Sequence, residues 1–492
     1  MRKSVVECLY SHSVTTPDKT AVICGGKETS YRELFSLALG YSNYLKSEGV
    51  KKGDIVVTKA SQNLDYVVIY LGIHLCGGVV ASLERNVADE GFVKVVNKLK
   101  AAFALFDGEL SLGDSVKTVQ RKDVLDKAAA FYSEENAIPT FPELESAADI
   151  LFTTGTTGES KGVELSHRAL AATAENLIYG CGYKKDTIMI LPGPLNHANA
   201  IRKLFTTIIN GSTICILNGM MSVKRFFDAL DNPNGSIACC LPPAAIRTIF
   251  QTTKDKLGEY AHRIDFIESA TAPLPEPDKL KLCQLLPNTR LYNNYGSSES
   301  ASVCMYDYNA NPGLTGCIGK AMPNSQIIVV DDDKKEMVSS AQHMGLLACK
   351  GDVNMTGYVN DPEATAQVLI DGIVYTNDIG YIDADGFIYI SGRKGDVINV
   401  GGLKVAPTEV ESATLAFPGI DDCICIGVDD PISGKALKLL VVMAEDQQMD
   451  IRALRTFLMG KLENYKVPMQ YEQVDKVART FNGKLDRKAY AK

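Results

Sequence analysis

The chain has 492 residues, 46% of them hydrophobic, and a formal net charge of −8. A chain of this length exceeds one compact unit, so we expect one large or composite domain and at least one more. The negative charge gives no electrostatic reason to expect nucleic acid or an anionic membrane as a partner. The N-terminus lacks the apolar stretch of a signal peptide and no later run approaches a membrane span in length, so we expect a cytoplasmic protein.

The first chemically suggestive stretch is TTGTTGESKG, residues 153–162, which follows an apolar run. Glycines and hydroxyl residues expose backbone N–H groups, and Lys161 adds positive charge, so the stretch suits a phosphate. It is not the P-loop of nucleotide hydrolases, because Ser160 and Gly162 stand where a glycine and a hydroxyl are required. Taken alone, it is compatible with a phosphate site and with a polar surface turn.

From residue 186 onward, strand-like runs enter loops rich in glycine, proline or serine. These runs are DTIMILPG, STICILNG, SIACCLPP, IDFIESATAPLP and TRLYNNYGSSES, with helical patterns in MSVKRFFDAL and AIRTIFQTTKDKLGEY. The alternation predicts an α/β fold with a largely parallel sheet, in which ligands bind where strand ends meet loops.

A more β-rich section follows, and the pattern then resets after about residue 395. SQIIVVDDDKKEMV predicts a hairpin with a solvated charged tip, and LLACKG and GFIYISGR predict further strands. The last part alternates helices (PTEVESATLAF, IRALRTFLMGKL) with strands (CICIGV, LKLLVVMA). We therefore predict a large N-terminal domain of layered α/β subdomains plus a β-rich subdomain over residues 1–393, and a small α/β C-terminal domain over residues 394–492.

Thirteen cysteines are spread along the chain. The closest groups, Cys239 with Cys240 and Cys423 with Cys425, lack the two-residue gap of metal and redox pairs. Most lie in apolar runs, which predicts small buried hydrophobic residues in a reducing compartment.

Four further motifs follow the threonine and glycine stretch: YNNYGSSES at 292–300, YTNDIGYID, GRKGD, and RTFNGKLDR near the end. The order and spacing of the five motifs resemble the adenylate-forming superfamily of acyl-CoA synthetases, peptide-synthetase adenylation domains and luciferases. The resemblance covers nearly the whole chain. It implies ATP and Mg²⁺ as cofactors, and a mobile C-terminal domain that acts as a lid.

The resemblance assigns ATP-binding roles to three segments. The first holds the phosphates through Thr153, Thr154, Gly155, Thr156, Thr157, Gly158 and Lys161, with Ser160 in place of the usual proline. The second, SATAPLP, lies beside adenine and ribose through Ala270, Ala272 and Pro273. The third contributes Asn294, Tyr295 and Gly296, of which Tyr295 would stack on adenine.

Charged and polar residues complete the nucleotide site by the same resemblance. Ser298 would contact the α-phosphate and Glu299 would hold Mg²⁺, because a hard cation prefers carboxylate and phosphate oxygens. Asp378 would accept hydrogen bonds from the ribose hydroxyls, and Arg393 would complete the ribose and phosphate contacts. Asn377 replaces the usual glycine before Asp378, and we expect its tolerance of positive φ to preserve a turn there.

Lys484 matches the catalytic lysine that bridges the incoming carboxylate and the α-phosphate. Both groups are negative, so their reaction needs positive charge where they meet. The resemblance implies two half-reactions, acyl-adenylate formation and then attack by a thiol. Between them the small domain would rotate about Gly395, bringing the turn with Gly401, Gly402 and Lys404 to the thiol's path.

The acyl pocket would be lined partly by residues 195–201 and 242–245, with Ala270 and Val303. Asn196 and His197 stand where amino-acid-activating relatives carry an aspartate, so an α-amino acid is disfavoured and a fatty or aryl carboxylic acid is favoured. For His197, two interpretations stay open: a catalytic residue that gates the pocket or steers the carboxylate, and a packed core histidine.

No carrier-protein domain follows the last motif, so we expect the thiol to come in trans, from coenzyme A or from the phosphopantetheine of a carrier protein. The predicted activity is that of an AMP-forming acid–thiol ligase. Two alternatives stay open: adenylation with a non-thiol second step, and a non-catalytic nucleotide-binding relative. The second is disfavoured by the intact Lys161, Glu299, Asp378, Arg393 and Lys484.

Overall fold

The structure is a computed structural model that describes residues 1–108, 110–113, 115–133, 138–153, 161–219, 222–479 and 485–490, without the side chains of Thr153 and Lys404. Its α-helices are α1 (Val5–Thr15), α2 (Tyr31–Ser47), α3 (Leu64–Cys76), α4 (Asp89–Leu99), α5 (Val124–Phe131), α6 (His167–Cys181), α7 (Ala198–Asn210), α8 (Val223–Leu230), α9 (Pro243–Thr253), α10 (Glu276–Leu285), α11 (Pro362–Val368), α12 (Pro407–Leu415) and α13 (Ile451–Met459).

The strands fall into two large sheets and two small ones. They are β1 (Thr20–Cys24), β2 (Lys27–Ser30), β3 (Ile55–Lys59), β4 (Val79–Leu83), β5 (Phe103–Leu105), β6 (Lys117–Val119), β7 (Ala147–Thr153), β8 (Lys161–Ser166), β9 (Thr187–Leu191), β10 (Thr213–Ile216), β11 (Ser236–Cys240), β12 (Ile264–Ser269), β13 (Arg290–Ser297), β14 (Ala301–Asp307), β15 (Cys317–Ala321), β16 (Ser325–Val330), β17 (Gly345–Gly351), β18 (Gly357–Tyr358), β19 (Leu369–Ile370), β20 (Ile373–Ile382), β21 (Ile388–Arg393), β22 (Ile398–Val400), β23 (Leu403–Val405), β24 (Ile420–Asp430), β25 (Gly434–Met443) and β26 (Gln470–Gln473).

The first large sheet confirms the predicted α/β architecture. Its strands follow the order β16-β17-β20-β21-β15-β14-β13-β12-β11-β9-β10-β1-β2, with β19 paired to β20. The central strands β13, β12, β11, β9, β10 and β1 are parallel to one another. They include all five strands predicted from residue 186 onward, and every residue of β9 is buried. Burial on both faces explains why these strands are continuously apolar, and their carboxyl ends share one edge of the sheet.

The second large sheet, in the order β18-β8-β7-β4-β3-β5-β6, carries the ends of the threonine and glycine stretch. Strands β7 and β8 are antiparallel, and Thr153 lies opposite Lys161 in their register. The stretch between these two residues falls on 154–160, outside the described residues. Its two ends are therefore fixed side by side at one end of this sheet.

The C-terminal part is a small α/β unit, as predicted. Strands β24, β25 and β26 form one sheet, and α12 and α13 pack on it around a core that includes Val410, Leu439 and Leu454. Hairpin β22–β23 turns at Gly401 and Gly402, which have φ of +58° and +89°. Two successive residues with positive φ make a type I′ turn, a conformation that favours glycine at both positions.

Two predicted elements differ from the structure. The helix expected over AIRTIFQTTKDKLGEY ends at Thr253, because Lys254 has a φ of +54°, outside the α-helical region. A short 3₁₀ helix follows over Lys256–Tyr260 and buries Leu257. At the hairpin expected over SQIIVVDDDKKEMV, the second strand is reduced to a single β-bridge between Val330 and Glu336. Strand β16 pairs instead with β17.

The cysteines are free, ten of them buried and three partly buried, as their apolar surroundings predicted. None of the helices in the described ranges is both long enough and apolar enough to cross a bilayer.

Candidate active site

The predicted nucleotide residues converge where β13 ends beside the second sheet. Ser298 and Glu299 lie in the turn between β13 and β14, and the Met355 N–H donates to the Glu299 carbonyl at 2.8 Å. The next residue, Thr356, donates its N–H to the Glu164 carbonyl in β8 at 3.0 Å. The segment before β18 thus ties the two sheets together at the site.

A hydrogen-bonded triad forms at the residues predicted to bind adenine and ribose. The Tyr295 hydroxyl donates to Asp378 Oδ2 at 2.6 Å, and Arg393 Nε donates to Asp378 Oδ1 at 2.8 Å. Burial raises the pKa of the Tyr295 phenol well above its usual range, while the Asp378 charge raises the pKa of Arg393. Asp378 is therefore an oriented acceptor whose remaining lone pairs suit ribose hydroxyls.

The turn expected before Asp378 is absent, and this expectation was wrong. Asn377 and Asp378 lie inside the ten-residue strand β20, and Asn377 does not have positive φ. The Asn377 carbonyl accepts the Lys394 N–H at 2.8 Å, beyond the end of β21. Strand pairing, and not a glycine-like turn, positions the carboxylate.

Tyr358, a residue that the sequence analysis did not identify, contacts both the metal-binding candidate Glu299 and Lys161. The Tyr358 hydroxyl donates to Glu299 Oε1 at 2.9 Å, and Lys161 Nζ lies 4.9 Å from the centre of the Tyr358 ring. Tyr358 belongs to TGYVND, which carries no recognisable motif. Only the pairing of β18 with β8 brings it here.

Glu299 fits a magnesium ion held mainly by phosphate oxygens. Its Oε1 is oriented by Tyr358, and Oε2 has no partner within the described residues. The described ranges contain no group of three metal-ligating side chains, so a cation here would draw most of its ligands from the nucleotide and water. When bound, the ion would neutralise charge on the phosphates.

The other predicted contacts lie on neighbouring loops. Ala270 is buried directly after β12, and Ala272 and Pro273 continue that loop after Thr271, which has a φ of +77°. A Cβ at Gly296 would come within 1.6 Å of the Ala301 carbonyl oxygen, so the turn between β13 and β14 requires glycine there. The Asn294 amide donates to Glu268 and Ser302, which makes it part of the floor beneath this turn.

For several predicted residues, the structure does not describe the position or does not test the predicted role. Thr154, Gly155, Thr156, Thr157 and Gly158 lie outside the described residues, as does Lys484, and nothing is described for the side chains of Thr153 and Lys404. Gly401 and Gly402 form the hairpin turn described above. Gly395 lies in the turn between β21 and β22 without positive φ, and a Cβ there would meet no atom within 4 Å. Its role as a hinge stays a prediction.

Helix α7 carries residues predicted to face the acid, and two cations that the sequence analysis did not identify. His197 is the N-cap residue of α7, and Arg202 and Lys203 follow on its second turn. Both cations are buried, with 7% and 0% exposure. A signal was present, since two adjacent cations in the otherwise apolar run AIRKLFTTII are unusual for a buried helix.

The sequence models of two domains of one enzyme family match the chain. The AMP-binding enzyme model matches residues 10–359, and the AMP-binding enzyme C-terminal domain model matches residues 409–484. The predicted boundary at 393/394 falls between the two matches and stays a prediction.

Several known proteins similar to the chain are acid–thiol ligases. A long-chain-fatty-acid–CoA ligase of Bacillus subtilis is 28% identical over 530 residues, covering 99% of this chain and 94% of the relative. A 2-succinylbenzoate–CoA ligase of a Geobacillus species is 25% identical over 494 residues, covering 99% and 97%.

Solved structures agree with this fold over the whole chain. ATP-bound MatB from Rhodopseudomonas palustris matches with a TM-score of 0.89 at 25% identity, covering 100% of this chain and 99% of that one. O-succinylbenzoate coenzyme A synthetase from Bacillus subtilis, in complex with ATP and magnesium, matches with a TM-score of 0.86 at 22% identity, covering 99% of each chain.

The fold and the convergent site therefore define an adenylate-forming enzyme of the acid–thiol ligase class, as the motifs predicted. The chain belongs to the AMP-binding enzyme family.

Proposed function

We propose that this enzyme activates a fatty or aryl carboxylic acid with Mg-ATP and then transfers the acyl group to a thiol. The observation that carries the proposal is the assembly of Tyr295, Asp378 and Arg393 into one hydrogen-bonded triad, with Glu299 in the turn that follows Tyr295. The hydrogen bond from Tyr295 to Asp378 joins residues 83 positions apart, and this long-range assembly supports the proposed nucleotide site.

In the first half-reaction, the acid's carboxylate oxygen attacks the α-phosphorus of ATP and pyrophosphate leaves. The triad orients the nucleotide, with Asp378 accepting from the ribose and Tyr295 beside the adenine. Ser298 would contact the α-phosphate, and the stretch around Lys161 would bind the departing phosphates. Lys484 would place its positive charge between the two negative reactants.

In the second half-reaction, a thiol attacks the acyl carbonyl and AMP leaves. We propose that the small domain rotates about Gly395 between the two steps, so that the turn at Gly401 and Gly402, with Lys404, replaces Lys484 at the site. The acceptor is coenzyme A or a carrier-protein phosphopantetheine. Both present the same thiol group, and named relatives include ligases of each kind.

Features on the acid side support a substrate without an α-ammonium group. Asn196 and His197 stand where amino-acid-activating relatives carry an aspartate, so an ammonium would lack a counter-ion. His197 precedes the first turn of α7 and would gate or steer the acid. The net charge of −8 also fits an enzyme that acts in the cytoplasm without a nucleic-acid partner.

The test is acid-dependent exchange of labelled pyrophosphate into ATP, measured without thiol over fatty, aryl and amino acids. We expect exchange with a subset of the fatty or aryl acids and none with α-amino acids. AMP release with coenzyme A, and separately with a loaded carrier protein, then identifies the acceptor. If Mg-ATP binds and no acid supports exchange, the proposal is wrong.

A further inference from the structure

Arg202 is a buried cation that makes no direct ion pair within the described residues, although the charges of Glu299, Asp149 and Glu268 act on it from farther away. The residue is 7% exposed, and its Nη2 donates to the Ser297 carbonyl at 3.0 Å. Within the described residues it forms no ion pair. Burying a guanidinium in this way is costly unless an anion completes its environment.

The next residue on the same helix, Lys203, is a buried cation whose charge is compensated within the protein. Lys203 is fully buried, and its Nζ lies 2.7 Å from Glu268 Oε1, itself fully buried. Lys203 also donates to Asn199 Oδ1 at 3.2 Å. Lys203 is therefore internally paired, and Arg202 is not.

The carboxylates that act on Arg202 from farther away are each hydrogen-bonded or ion-paired to another residue, and none forms a direct ion pair with Arg202. Glu299 accepts from Tyr358 at 2.9 Å, and Asp149 lies 2.8 Å from His74 Nε2. Glu268 is the partner of Lys203. Burial lowers the pKa of Arg202 to about 10, so the guanidinium stays protonated near neutral pH.

Contacts of α7 place Arg202 on the acid side of the site. Asn199 donates to the Cys240 sulfur at 3.2 Å, at the end of β11, and Lys203 pairs with Glu268 in β12. Arg202 reaches Ser297 at the end of β13. The first turns of α7 thus cross the carboxyl ends of three parallel strands, whereas Asp378 and Arg393 lie on β20 and β21, on the opposite side of β13.

We propose that Arg202 binds a second carboxylate of the acid, so that the substrate is a short dicarboxylic acid. The inference rests on the proposed activation of an acid by Mg-ATP, and it assigns a short aliphatic diacid as the substrate in place of a fatty or aryl monoacid. A guanidinium forms two parallel hydrogen bonds with a carboxylate, a geometry that a monocarboxylic acid leaves unused.

The position of Ser297 sets the length of the acid. Ser297 directly precedes Ser298, the residue expected at the α-phosphate, and consecutive Cα atoms are about 3.8 Å apart. The second carboxylate therefore lies close to the reacting one, which favours a short spacer between them. At the end of β12, Ser269 adds a buried hydroxyl that has no hydrogen-bond partner within the described residues.

The experiment compares acids matched in carbon number, using the full chain and pyrophosphate exchange. The pairs are malonate with propionate, succinate with butyrate, and glutarate with valerate. We expect kcat/KM for at least one diacid to exceed that of its matched monoacid about 100-fold, because the monoacid leaves the guanidinium unpaired.

The variant Arg202→Met should lose about 100-fold in kcat/KM for the diacid and gain relative activity with the monoacid, while KM for ATP stays unchanged. Arg202→Lys keeps the charge and should retain part of the preference, which guards against a folding defect in the first variant. The control is Arg225→Met, an exposed arginine on α8, which should leave the preference intact.

Calorimetric binding of each acid separates failure of this inference from failure of the proposed function. Diacid binding that Arg202→Met abolishes supports the inference even if exchange is absent and acid activation fails. Exchange that favours monoacids overturns the inference. So does an Arg202→Met variant in which kcat/KM falls equally for all acids, and Arg202 would then only support the Ser297 turn. Absence of both diacid binding and diacid exchange in the unmodified enzyme overturns it as well.

Discussion

Two carboxylate–arginine pairs, one in each part of the molecule, are built in opposite ways. In the large domain, Arg393 reaches Asp378 through Nε alone, and its side chain is 51% exposed. In the small domain, one nitrogen of Arg487 lies 2.6 Å from both oxygens of Glu411, and these side chains are only 17% and 6% exposed.

The two pairs also differ in the further contacts that their side chains make. The terminal nitrogens of Arg393 donate to no group within the described residues, which leaves them available to a ligand. Glu411 also accepts the Cys425 N–H at 2.8 Å, and burial raises its pKa to about 7 although the Arg487 charge opposes the shift. The open pair, Arg393 with Asp378, is suited to binding a ligand. The closed pair, Arg487 with Glu411, is suited to holding the chain in place.

The closed pair holds the segment that follows Lys484. Arg487 fixes residues 485–490 against α12, and it also lies 3.5 Å from Asp396, next to the predicted hinge at Gly395. On the other side of that hinge, Lys394 pairs with Asp332 at 2.6 Å, at the tip that the sequence suggested was merely solvated. A structural ion pair thus anchors the described segment that follows Lys484 in the sequence.

The largest expected effect comes from Lys484 itself. Lys484→Ala should lower adenylate formation about 1000-fold, because one positive charge at the meeting point of two anions is removed. ATP binding should be retained, as should much of the transfer from preformed adenylate. The exposed Lys488→Ala serves as the control. Equal loss of both half-reactions would contradict the assignment.

Breaking the closed pair should affect stability before it affects nucleotide binding. Arg487→Met should lower the free energy of unfolding of the small domain by about 2–3 kcal/mol, somewhat less than a buried pair usually costs, because Glu411 can take up a proton. Chemical denaturation measures this effect. Lys435→Met, which breaks the exposed pair with Asp429, should cost less than about 1 kcal/mol. An equal cost for both variants would remove the distinction between the pairs.

Breaking the open pair should weaken ATP binding and leave the stability of the domain nearly unchanged. Asp378→Asn should lower kcat/KM for ATP about 30-fold, since a charged acceptor for the ribose is lost. The free energy of unfolding should change little. The exposed Asp385→Asn on the loop after β20 is the matched control. Loss of stability without loss of ATP affinity would show that this pair is structural too.

The smallest effect is expected at Tyr358. Tyr358→Phe should raise the Mg²⁺ concentration needed for half-maximal exchange about fivefold, because Glu299 loses one orienting hydrogen bond. The KM for the acid should not change. Tyr375→Phe is a suitable control, since Tyr375 also lies under a lysine, Lys334, 4.7 Å from its ring centre. A change in acid KM with unchanged magnesium dependence would contradict this role.

Much of the fold and part of the site could be predicted from local patterns. Strands that end in glycine and serine loops were found correctly, because the runs of buried apolar residues and the loop residues are both encoded locally. Helix α9 was predicted too long, because the reversal at Lys254 serves the burial of Leu257 and has no local signal.

The sequence by itself determined the α/β class and the order of the motifs, since these follow from local composition and spacing, and the resemblance of the motifs predicted the residues that would contact ATP. Only the tertiary structure decided which side chains meet: that Tyr358 orients Glu299 across 59 positions, that Lys203 is neutralised by Glu268, and that Arg202 is not. Charge compensation depends on distances between distant segments, and those distances exist only once the strands have paired.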